Sequence, residues 1–253
     1  MEQIKEENVV MDEPDPQLPE VVKKETTIVF CIEGDSFSGE FLRSWTELFA
    51  FCIMNNIKPI LSNTSDSNIF HVRNMALMGN PAKGINQRPF DGKLDYDYIL
   101  WISKDTIFTV DMFKKLLAHE KQVVSALCMR KDLKSYDMIR QYDQEYLAKN
   151  GTFEYVSREQ VEEYKKQGGE NVSLMDVQYC GMGFMLVKRG VIENMRYPWF
   201  FPTSTTLQDP SGNVLFHSYN NDAESFCSVL RQSGIPLYVD TTALVGLQRN
   251  IIV

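Results

Sequence analysis

The chain contains a short, unbroken apolar run that ends in three polar residues. Residues 98–102 read Tyr-Ile-Leu-Trp-Ile, and Ser103, Lys104 and Asp105 follow directly. Such a run is typical of a strand that is buried on both faces, as in the middle of a parallel sheet. Ligands of open α/β sheets bind beyond the carboxyl ends of the strands, so these polar residues are expected at a ligand site. A carboxylate there can hold a divalent cation, which in turn can hold a diphosphate.

The rest of the chain alternates between apolar runs and segments whose apolar residues recur at helical spacing. This alternation predicts an α/β fold with a wound, mostly parallel central sheet flanked by helices, in one domain. Later strands are predicted at 177–180, 184–187 and 237–239, and a later helix at 222–232. The earlier strands are predicted at 28–32, 57–61, 98–102 and 123–128, and the earlier helices at 39–55, at 67–76 with Ser67 as the N-cap, and from 110 to 117.

Two stretches stand apart from this alternation. Residues 1–26 are polar and acidic, are interrupted by prolines, and are predicted to form a disordered leader. Residues 130–170 are charged and rich in tyrosine, and are predicted to be an insertion rather than core. The domain itself is expected to extend over residues 27–253.

Charge and cysteine content limit the class of protein. The formal net charge of −8 argues against broad binding to nucleic acid or to an anionic membrane surface. The five cysteines are widely spaced and form no pattern with zinc-ligand spacing, so reduced, buried thiols are expected. No apolar stretch approaches the length of a membrane span, and the N-terminus lacks a signal-peptide pattern. A soluble, cytoplasmic protein is expected.

Four further residues are candidates for binding a nucleotide-sugar donor. Arg73 and Asn74 lie near the start of a predicted helix, where a guanidinium and free backbone amides can bind an anion. The alternative for Arg73 is a surface position on an amphipathic helix. Gly181 and Gly183 allow close approach of the backbone to a ligand, or only a tight turn. For Asp105 the alternative is a turn or helix-start carboxylate, and for Lys104 a solvated side chain.

Three residues are candidates for binding a sugar or for activating a hydroxyl group that would accept it. Trp199 belongs to an aromatic cluster at 197–200 that is either a wall for a sugar ring or part of the core. Asp222 and Glu224 lie at the start of a predicted helix, where carboxylates interact favourably with the helix dipole. Either one is alternatively a general base for an acceptor hydroxyl.

Short motifs also recur in a particular order along residues 27–253. In this order and spacing they resemble the GT-A-fold glycosyltransferases, the nucleotide-diphospho-sugar transferases, and above all their short members from phages, large viruses and bacteria. The motifs are Ile32-Glu33-Gly34 with Phe37-Ser38 and Ser44-Trp45, Val72-Arg73-Asn74, the run 97–102, Gly181-Met182-Gly183-Phe184, Tyr197-Pro198-Trp199-Phe200, Phe226-Cys227 with Gly234, and Val239-Asp240 before Val245-Gly246.

The resemblance implies a donor-binding half at about 27–129 and an acceptor-facing half at about 171–253. In that family an Asp-x-Asp motif after the third strand binds ribose and the divalent metal that grips the diphosphate. Asp105 matches the second, metal-contacting acid, whereas Ser103 stands in place of the first. A histidine that completes the metal shell in the family is Leu247 here.

The resemblance also implies an acid pair near the acceptor, of which this chain keeps Asp222 and replaces the other with Ala223. The resulting prediction is a glycosyltransferase that moves a sugar from a nucleotide-diphosphate sugar to an acceptor hydroxyl, with Mn²⁺ or Mg²⁺ as a weak or dispensable cofactor. Asp222 is the base if the reaction inverts the anomeric centre, and whether it inverts or retains that centre stays open. The acceptor (a glycan, a protein or a lipid-linked molecule) stays open. The alternative is a catalytically silent relative that binds nucleotide sugars or acts as a scaffold. A transferase acting on DNA bases is disfavoured by the net charge.

Overall fold

A computed structural model describes residues 25–168 and 173–248, so nearly all of the predicted leader at 1–26 lies outside the described residues. Within these ranges the helices are α1 (Gly39–Met54), α2 (Ile69–Ala76), α3 (Val110–Ala118), α4 (Gln144–Asn150), α5 (Arg158–Gly168) and α6 (Asp222–Gln232). The strands are β1 (Thr26–Glu33), β2 (Ile57–Thr64), β3 (Tyr98–Ser103), β4 (Thr106–Ile107), β5 (Val123–Cys128), β6 (Met138–Ile139), β7 (Leu174–Val177), β8 (Tyr179–Cys180), β9 (Phe184–Lys188), β10 (Ser204–Gln208), β11 (Val214–Tyr219) and β12 (Leu237–Leu247).

The central sheet has the strand order β2-β1-β3-β9-β5-β12-β4, and β7 also pairs with β12. Strands β2, β1 and β3 are parallel neighbours, as are β5 and β12. Strand β9 enters antiparallel between β3 and β5 and so divides the parallel strands into two groups. The predicted single α/β domain with a mostly parallel, helix-flanked sheet is therefore confirmed, and the reversal of β9 is an addition to the prediction.

Alternate residues of the buried strands face two separate layers of core. In β3, Tyr98, Leu100 and Ile102 pack with residues of α1 and α3, such as Phe41 and Phe113. Ile99 and Trp101 face the opposite way and pack with residues of α2 and α6, such as Ala76 and Phe226. This explains why the run lacks polar alternation, because helices cover both faces of the strand.

Three sequence predictions differ from the structure in detail. The N-cap of α2 is Asn68 rather than Ser67, since the Asn68 side chain accepts hydrogen bonds from the amides of Phe70 and His71. The stretch at 130–170 contributes buried side chains to the α2/α6 layer, among them Tyr136, Met138, Ile139, Val156 and Val161, so it is not merely peripheral. The hairpin of β10 and β11 was not expected, because most of its residues are exposed and it lacks a buried face.

All five cysteines are free thiols, of which four are buried and Cys128 is partly exposed. Burial raises the pKa of the Cys31 thiol and also raises that of Cys52, to about 11. In the described part of the chain, no helix combines the length and apolar character needed to cross a lipid bilayer.

Candidate functional site

Polar residues from several elements meet at the carboxyl edge of the sheet. Glu33 ends β1 and Ser103 ends β3, in adjacent strands whose register places these two residues opposite each other. The Ser103 hydroxyl donates to Glu33 Oε1 at 2.9 Å. Arg73 of α2 lies 3.0 Å from Glu33 Oε2, measured from Nη2, and 3.2 Å from Asp222 Oδ2, measured from Nε. The edge thus links residues of the predicted donor half to the start of α6.

An open cleft of about 710 Å³ lies beside this network. Lys104 and Asp105 lie on the turn between β3 and β4, and Ser38, the N-cap of α1, also lines the cleft. Lys131, which the sequence reasoning did not single out, brings a second ammonium group into the lining. The lining residues are Ser36, Phe37, Ser38, Lys104, Asp105, Lys131 and Gln248.

The position of Lys104 depends on Gly34. Gly34 has φ +125°, a conformation that residues with a Cβ rarely adopt, and a Cβ built on it would lie 2.9 Å from Lys104 Cδ. The aliphatic stem of Lys104 therefore runs across the bare backbone of Gly34. This contact directs an exposed lysine along the cleft wall rather than leaving it unrestrained in solvent.

Asp105 is exposed, and its carboxylate has no hydrogen bond or ion pair to any described residue. Its backbone oxygen accepts from the amide of Gln248 at 2.8 Å, which ties the turn to the end of β12. Leu247 pairs with Thr106 in the same ladder. The positions that the resemblance assigns to a metal shell, 103, 105 and 247, are therefore adjacent in the structure.

The side chains at these positions do not fit a protein-held divalent cation. Leu247 offers no ligand atom, and the Ser103 hydroxyl already donates to Glu33. Across residues 25–168 and 173–248 there is no group of three or more His, Cys, Asp or Glu side chains that could hold a metal ion. A single carboxylate in a lining that also holds two lysines is a poor cation site, because Mg²⁺ and Mn²⁺ are bound through several oxygen ligands. No chemical step is therefore assigned to a metal here.

Arg73 is buried at the centre of the polar edge. It is 3% exposed, and its guanidinium lies over the ring of Trp101, 4.9 Å from the centroid. Nη1 of Arg73 and Oε2 of Glu33 are both buried without a hydrogen-bond partner in the described structure, although Oε2 is within ion-pair distance of Nη2. The surface position considered for Arg73 is therefore wrong. The side chain joins α2, β1 and α6.

The polar atoms of the Asn74 side chain hydrogen-bond to backbone groups of the fold. Its Oδ1 accepts from the backbone amides of Trp199 and Phe200, at 3.0 and 3.3 Å, and its Nδ2 donates to the carbonyls of Phe200 and Phe70. The side chain is 5% exposed. Asn74 therefore fastens α2 to the segment at 197–200. Binding of a donor by Asn74 stays a prediction that these contacts do not favour.

Trp199 is part of the core. It is 1% exposed and its ring makes an edge contact with Tyr197, with centroids 5.2 Å apart. Of the two roles considered for Trp199, core packing is the one that this conformation allows. A role as a sugar wall would require the segment to move.

Glu224 and Asp222 have different surroundings although they lie on one turn of α6. Glu224 completes a capping box with Asn221, and the Tyr155 hydroxyl donates to it at 3.4 Å. Asp222 is paired with Arg73. The helix-end role weighed for these carboxylates accounts for Glu224 fully. Asp222 keeps 18% of its side-chain surface exposed, at the end of the Arg73 network.

Gly181 and Gly183, which precede β9, make different contacts. The carbonyl of Gly183 accepts from the amide of Ser103 at 3.0 Å and from the Thr106 hydroxyl at 3.1 Å, which holds β9 against the turn that carries Lys104. Gly181 leaves room for a carboxylate, since a Cβ built there would overlap Oδ2 of Asp137 and lie 3.1 Å from its Cγ. Neither observation tests contact with a donor.

Asp137 is a further acidic residue at this edge. Its backbone amide donates to the carbonyl of Cys128 at the end of β5, at 2.8 Å. The Tyr179 hydroxyl donates to Asp137 Oδ1 at 3.0 Å, and Arg130 Nη1 lies 3.9 Å from the same oxygen. Burial raises the pKa of the Asp137 carboxyl, and the negative charges of Glu224 and Asp222 add to that rise. The Tyr179 ring contacts the Tyr155 ring, and the Tyr155 hydroxyl donates to Glu224, so these tyrosines link the Asp137 carboxylate to the start of α6.

Glu33, Lys131 and Asp137 were missed by the sequence reasoning for one shared reason. Each reaches the site only through contacts between segments that are far apart in the sequence, which a local pattern does not show. A signal existed for Glu33 alone, because it ends a buried strand and precedes a glycine. Lys131 and Asp137 lie in or next to the stretch that was predicted as an insertion.

Comparison with known proteins identifies similar folds but no family. No protein-family model matches the sequence, and no curated protein matches it. The crystal structure of GalNAc-T7 with UDP, GalNAc and Mn²⁺ matches 89% of this chain and 43% of its own, at 8% sequence identity and a TM-score of 0.50. This likeness shows a shared fold, of GT-A type, over less than half of that chain.

Two other solved structures match more weakly in shape. A197 from STIV matches 90% of this chain and 96% of its own, at 16% identity and a TM-score of 0.47. The inositol-1-phosphate CTP transferase from T. maritima matches 85% and 84%, at 10% identity and a TM-score of 0.34.

Proposed function

We propose that this protein is a glycosyltransferase that binds a nucleotide-diphosphate sugar in the Lys104–Asp105–Lys131 cleft and transfers the sugar to an acceptor hydroxyl. The observation that carries the proposal is the cleft itself, where two lysines and the N-terminus of a 16-residue helix border about 710 Å³ of open space. Its place at the carboxyl edge of a GT-A-like sheet supports the same ligand class.

The diphosphate would be held by positive charge from the protein. The ammonium groups of Lys104 and Lys131 offset the charge of the two phosphates, and backbone amides at the start of α1 add the favourable end of the helix dipole. Asp105 accepts a hydrogen bond from a ribose or sugar hydroxyl rather than holding a cation. The donor is thus bound with less dependence on Mn²⁺ or Mg²⁺ than the resemblance implies.

Phe37 provides a surface for the nucleobase. It lines the cleft, is 40% exposed, and its other face stacks on Phe41 with centroids 4.9 Å apart. An aromatic ring that is supported from behind and open in front stacks well on a base. In this proposal the base lies beside α1, the diphosphate at the lysines, and the sugar toward Ser103 and Glu33.

The acceptor side is formed by the start of α6. Asp222 lies there, paired with Arg73, and Asp137 is linked to the same helix end through Tyr179 and Tyr155, whose hydroxyl donates to Glu224. The acceptor oxygen attacks the anomeric carbon, the bond from that carbon to the diphosphate oxygen breaks, and the electron pair leaves with the diphosphate. The lysines stabilise the charge that develops on the leaving group. The acceptor is a glycan, a protein or a lipid-linked hydroxyl, and the free cysteines favour a reducing, cytoplasmic location.

Release of nucleotide tests this function without knowledge of the acceptor, because water replaces the acceptor at a low rate. The protein is incubated with UDP-, GDP- and dTDP-sugars, and the nucleoside diphosphate is measured by chromatography. Turnover of one donor is expected, with loss of at least tenfold in kcat/KM in Lys104→Ala. Lys149→Ala, which removes an exposed lysine of α4, is the control and is expected to match the wild type.

A second candidate is a donor-binding protein without turnover. The observation that favours it is the missing metal-binding group at positions 103, 105 and 247. Saturable donor binding with no nucleotide release under any metal condition would support this candidate and contradict the first.

A further inference from the structure

The two oxygens of the Asp137 carboxylate have different surroundings. Oδ1 accepts from the Tyr179 hydroxyl at 3.0 Å, whereas Oδ2 receives no hydrogen bond from any described residue. About a third of the side chain, 32%, is exposed. Oδ1 is therefore held in place, whereas Oδ2 packs against Gly181 and keeps its capacity to accept a hydrogen bond. This is the geometry expected of a proton acceptor that is already oriented.

Backbone contacts hold Asp137 on both sides. Its amide donates to the Cys128 carbonyl and its carbonyl accepts from the amide of Gly181, both at 2.8 Å. Gly181 lies so close to Oδ2 that the carboxylate occupies the space where a Cβ would be. The sequence marked Gly181 as a point of close approach, and the group that approaches it is this carboxylate.

The other acids at the same edge are already occupied. A proton on Asp222 would weaken its ion pair with the buried Arg73 guanidinium. Glu224 accepts from the amide of Asn221 through one oxygen and from the Tyr155 hydroxyl through the other. The nearest cation to Asp137 is Arg130, at 3.9 Å, which is a much weaker ion-pair geometry. Protonation of Asp137 therefore disrupts less ion pairing than protonation of Asp222.

We infer that Asp137 is the general base that takes the proton from the attacking hydroxyl, and that Asp222 positions the site through Arg73. The inference rests on the proposed function. As the acceptor oxygen forms its bond to the anomeric carbon, its proton passes to Asp137 Oδ2, and the diphosphate leaves with the electron pair of the broken bond. Tyr179 keeps the carboxylate aimed throughout.

The charged surroundings support this role. Burial and the charges of Glu224 and Asp222 raise the pKa of Asp137, whereas the Tyr179 hydrogen bond and Arg130 oppose the rise. Two other titratable groups interact with this carboxylate: Tyr155, whose ring centroid lies 3.2 Å from the Arg130 guanidinium carbon, and the Cys180 thiol. A raised pKa gives a base that binds a proton more strongly than an ordinary aspartate.

The test compares wild type, Asp137→Asn, Asp137→Ala and the control Glu145→Gln, which removes an exposed carboxylate from α4. Calorimetry first gives the donor Kd, and nucleotide release from the same donor then gives kcat between pH 4.5 and 8.5. Asp137→Asn is expected to keep the donor Kd within about twofold and to lose about 10²–10⁴ in kcat, together with the acid limb of the profile. Formate is expected to restore part of the rate of Asp137→Ala, as an added base does when a catalytic carboxylate is missing.

The outcomes separate the two proposals. A wild type that binds none of the nucleotide sugars, or binds one without turnover, overturns the proposed function and this inference with it. A wild type that turns over, with Asp137→Asn within threefold of it and an unchanged acid limb, overturns the role of Asp137 alone. If Asp137→Asn is misfolded by circular dichroism, Gly181→Ala decides, because its methyl group displaces Oδ2. That variant is expected to lower kcat at least tenfold at unchanged donor Kd, and full activity in it contradicts the inference.

Discussion

Arg73 and Asp222 form an ion pair across 149 residues of sequence, with Nε 3.2 Å from Oδ2. The same guanidinium reaches Glu33 at the end of β1, so one side chain joins the donor half of the molecule to the start of α6. Arg73 is almost wholly buried, whereas the two carboxylates are about one-fifth exposed. The pair therefore determines how the two sides of the carboxyl edge face each other.

Arg73→Met is expected to lower the free energy of unfolding by about 2–4 kcal/mol, because it leaves two partly buried carboxylates without a cation. Urea unfolding followed by circular dichroism measures the change. Arg43→Met, which removes an exposed arginine of α1, is the control and is expected to change stability by less than about 0.5 kcal/mol. Equal stability of the two variants would show that the buried pair contributes nothing.

Gly34→Ala is expected to weaken donor binding and to destabilise the fold by about 1–3 kcal/mol, because φ is +125° there and the new methyl group meets the Lys104 stem. Calorimetry and urea unfolding measure the two effects. For stability the comparison is Gly39→Ala, where a Cβ meets nothing within 4 Å in the first turn of α1. Unchanged donor affinity in Gly34→Ala would mean that Lys104 is not positioned by this contact.

Asn74→Ala is expected to cost about 2–4 kcal/mol of stability, because it leaves the buried amides of Trp199 and Phe200 without their acceptor. Donor Kd, measured at a temperature where the variant is folded, is expected to change by less than about twofold. Asn150→Ala removes an exposed asparagine that bonds only within α4 and serves as the matched control. A large loss of donor affinity in a variant of unchanged stability would show that Asn74 contributes to donor binding.

The stability of Asp137→Asn is expected to depend on pH in a specific direction. Because burial raises the pKa of Asp137, the native state holds this proton to higher pH than the unfolded state. The free energy of unfolding of the wild type therefore falls as pH rises through the native pKa of Asp137. Below the unfolded pKa of about 3.9 both states hold the proton, and this loss of stability is absent. Asp137→Asn is expected to melt about 1–3 °C above wild type at pH 7.5 and level with it near pH 4. A lower melting temperature at pH 7.5 would show that the ionised carboxylate stabilises the fold.

Local periodicity was enough to predict the parallel part of the sheet. The run at 98–102 lies in β3 as expected, and the helices predicted at 39–55, 110–117 and 222–232 lie within about two residues of α1, α3 and α6. Residues 184–187 were also correctly predicted as a strand, but nothing local shows that β9 inserts antiparallel between β3 and β5. That pairing is decided by packing between distant segments.

The site was predictable only where a motif follows a strand. Lys104 and Asp105 lie at the open cleft for that reason, since the end of a buried strand is visible in the sequence. The burial of Arg73 was not visible, because its partners Glu33 and Asp222 come from elements far apart in the chain. Asp137 was hidden in the same way, in a stretch whose irregular pattern resembles an insertion.

The measurement that tests the central claim most directly is calorimetric titration of UDP-, GDP- and dTDP-sugars into the wild type, Lys104→Ala and Lys131→Ala, with Mn²⁺ and separately with EDTA. The account predicts binding of one donor in both conditions, weakened at least tenfold by either substitution. Binding that requires Mn²⁺ and is indifferent to both lysines would contradict it, as would the absence of binding to every donor.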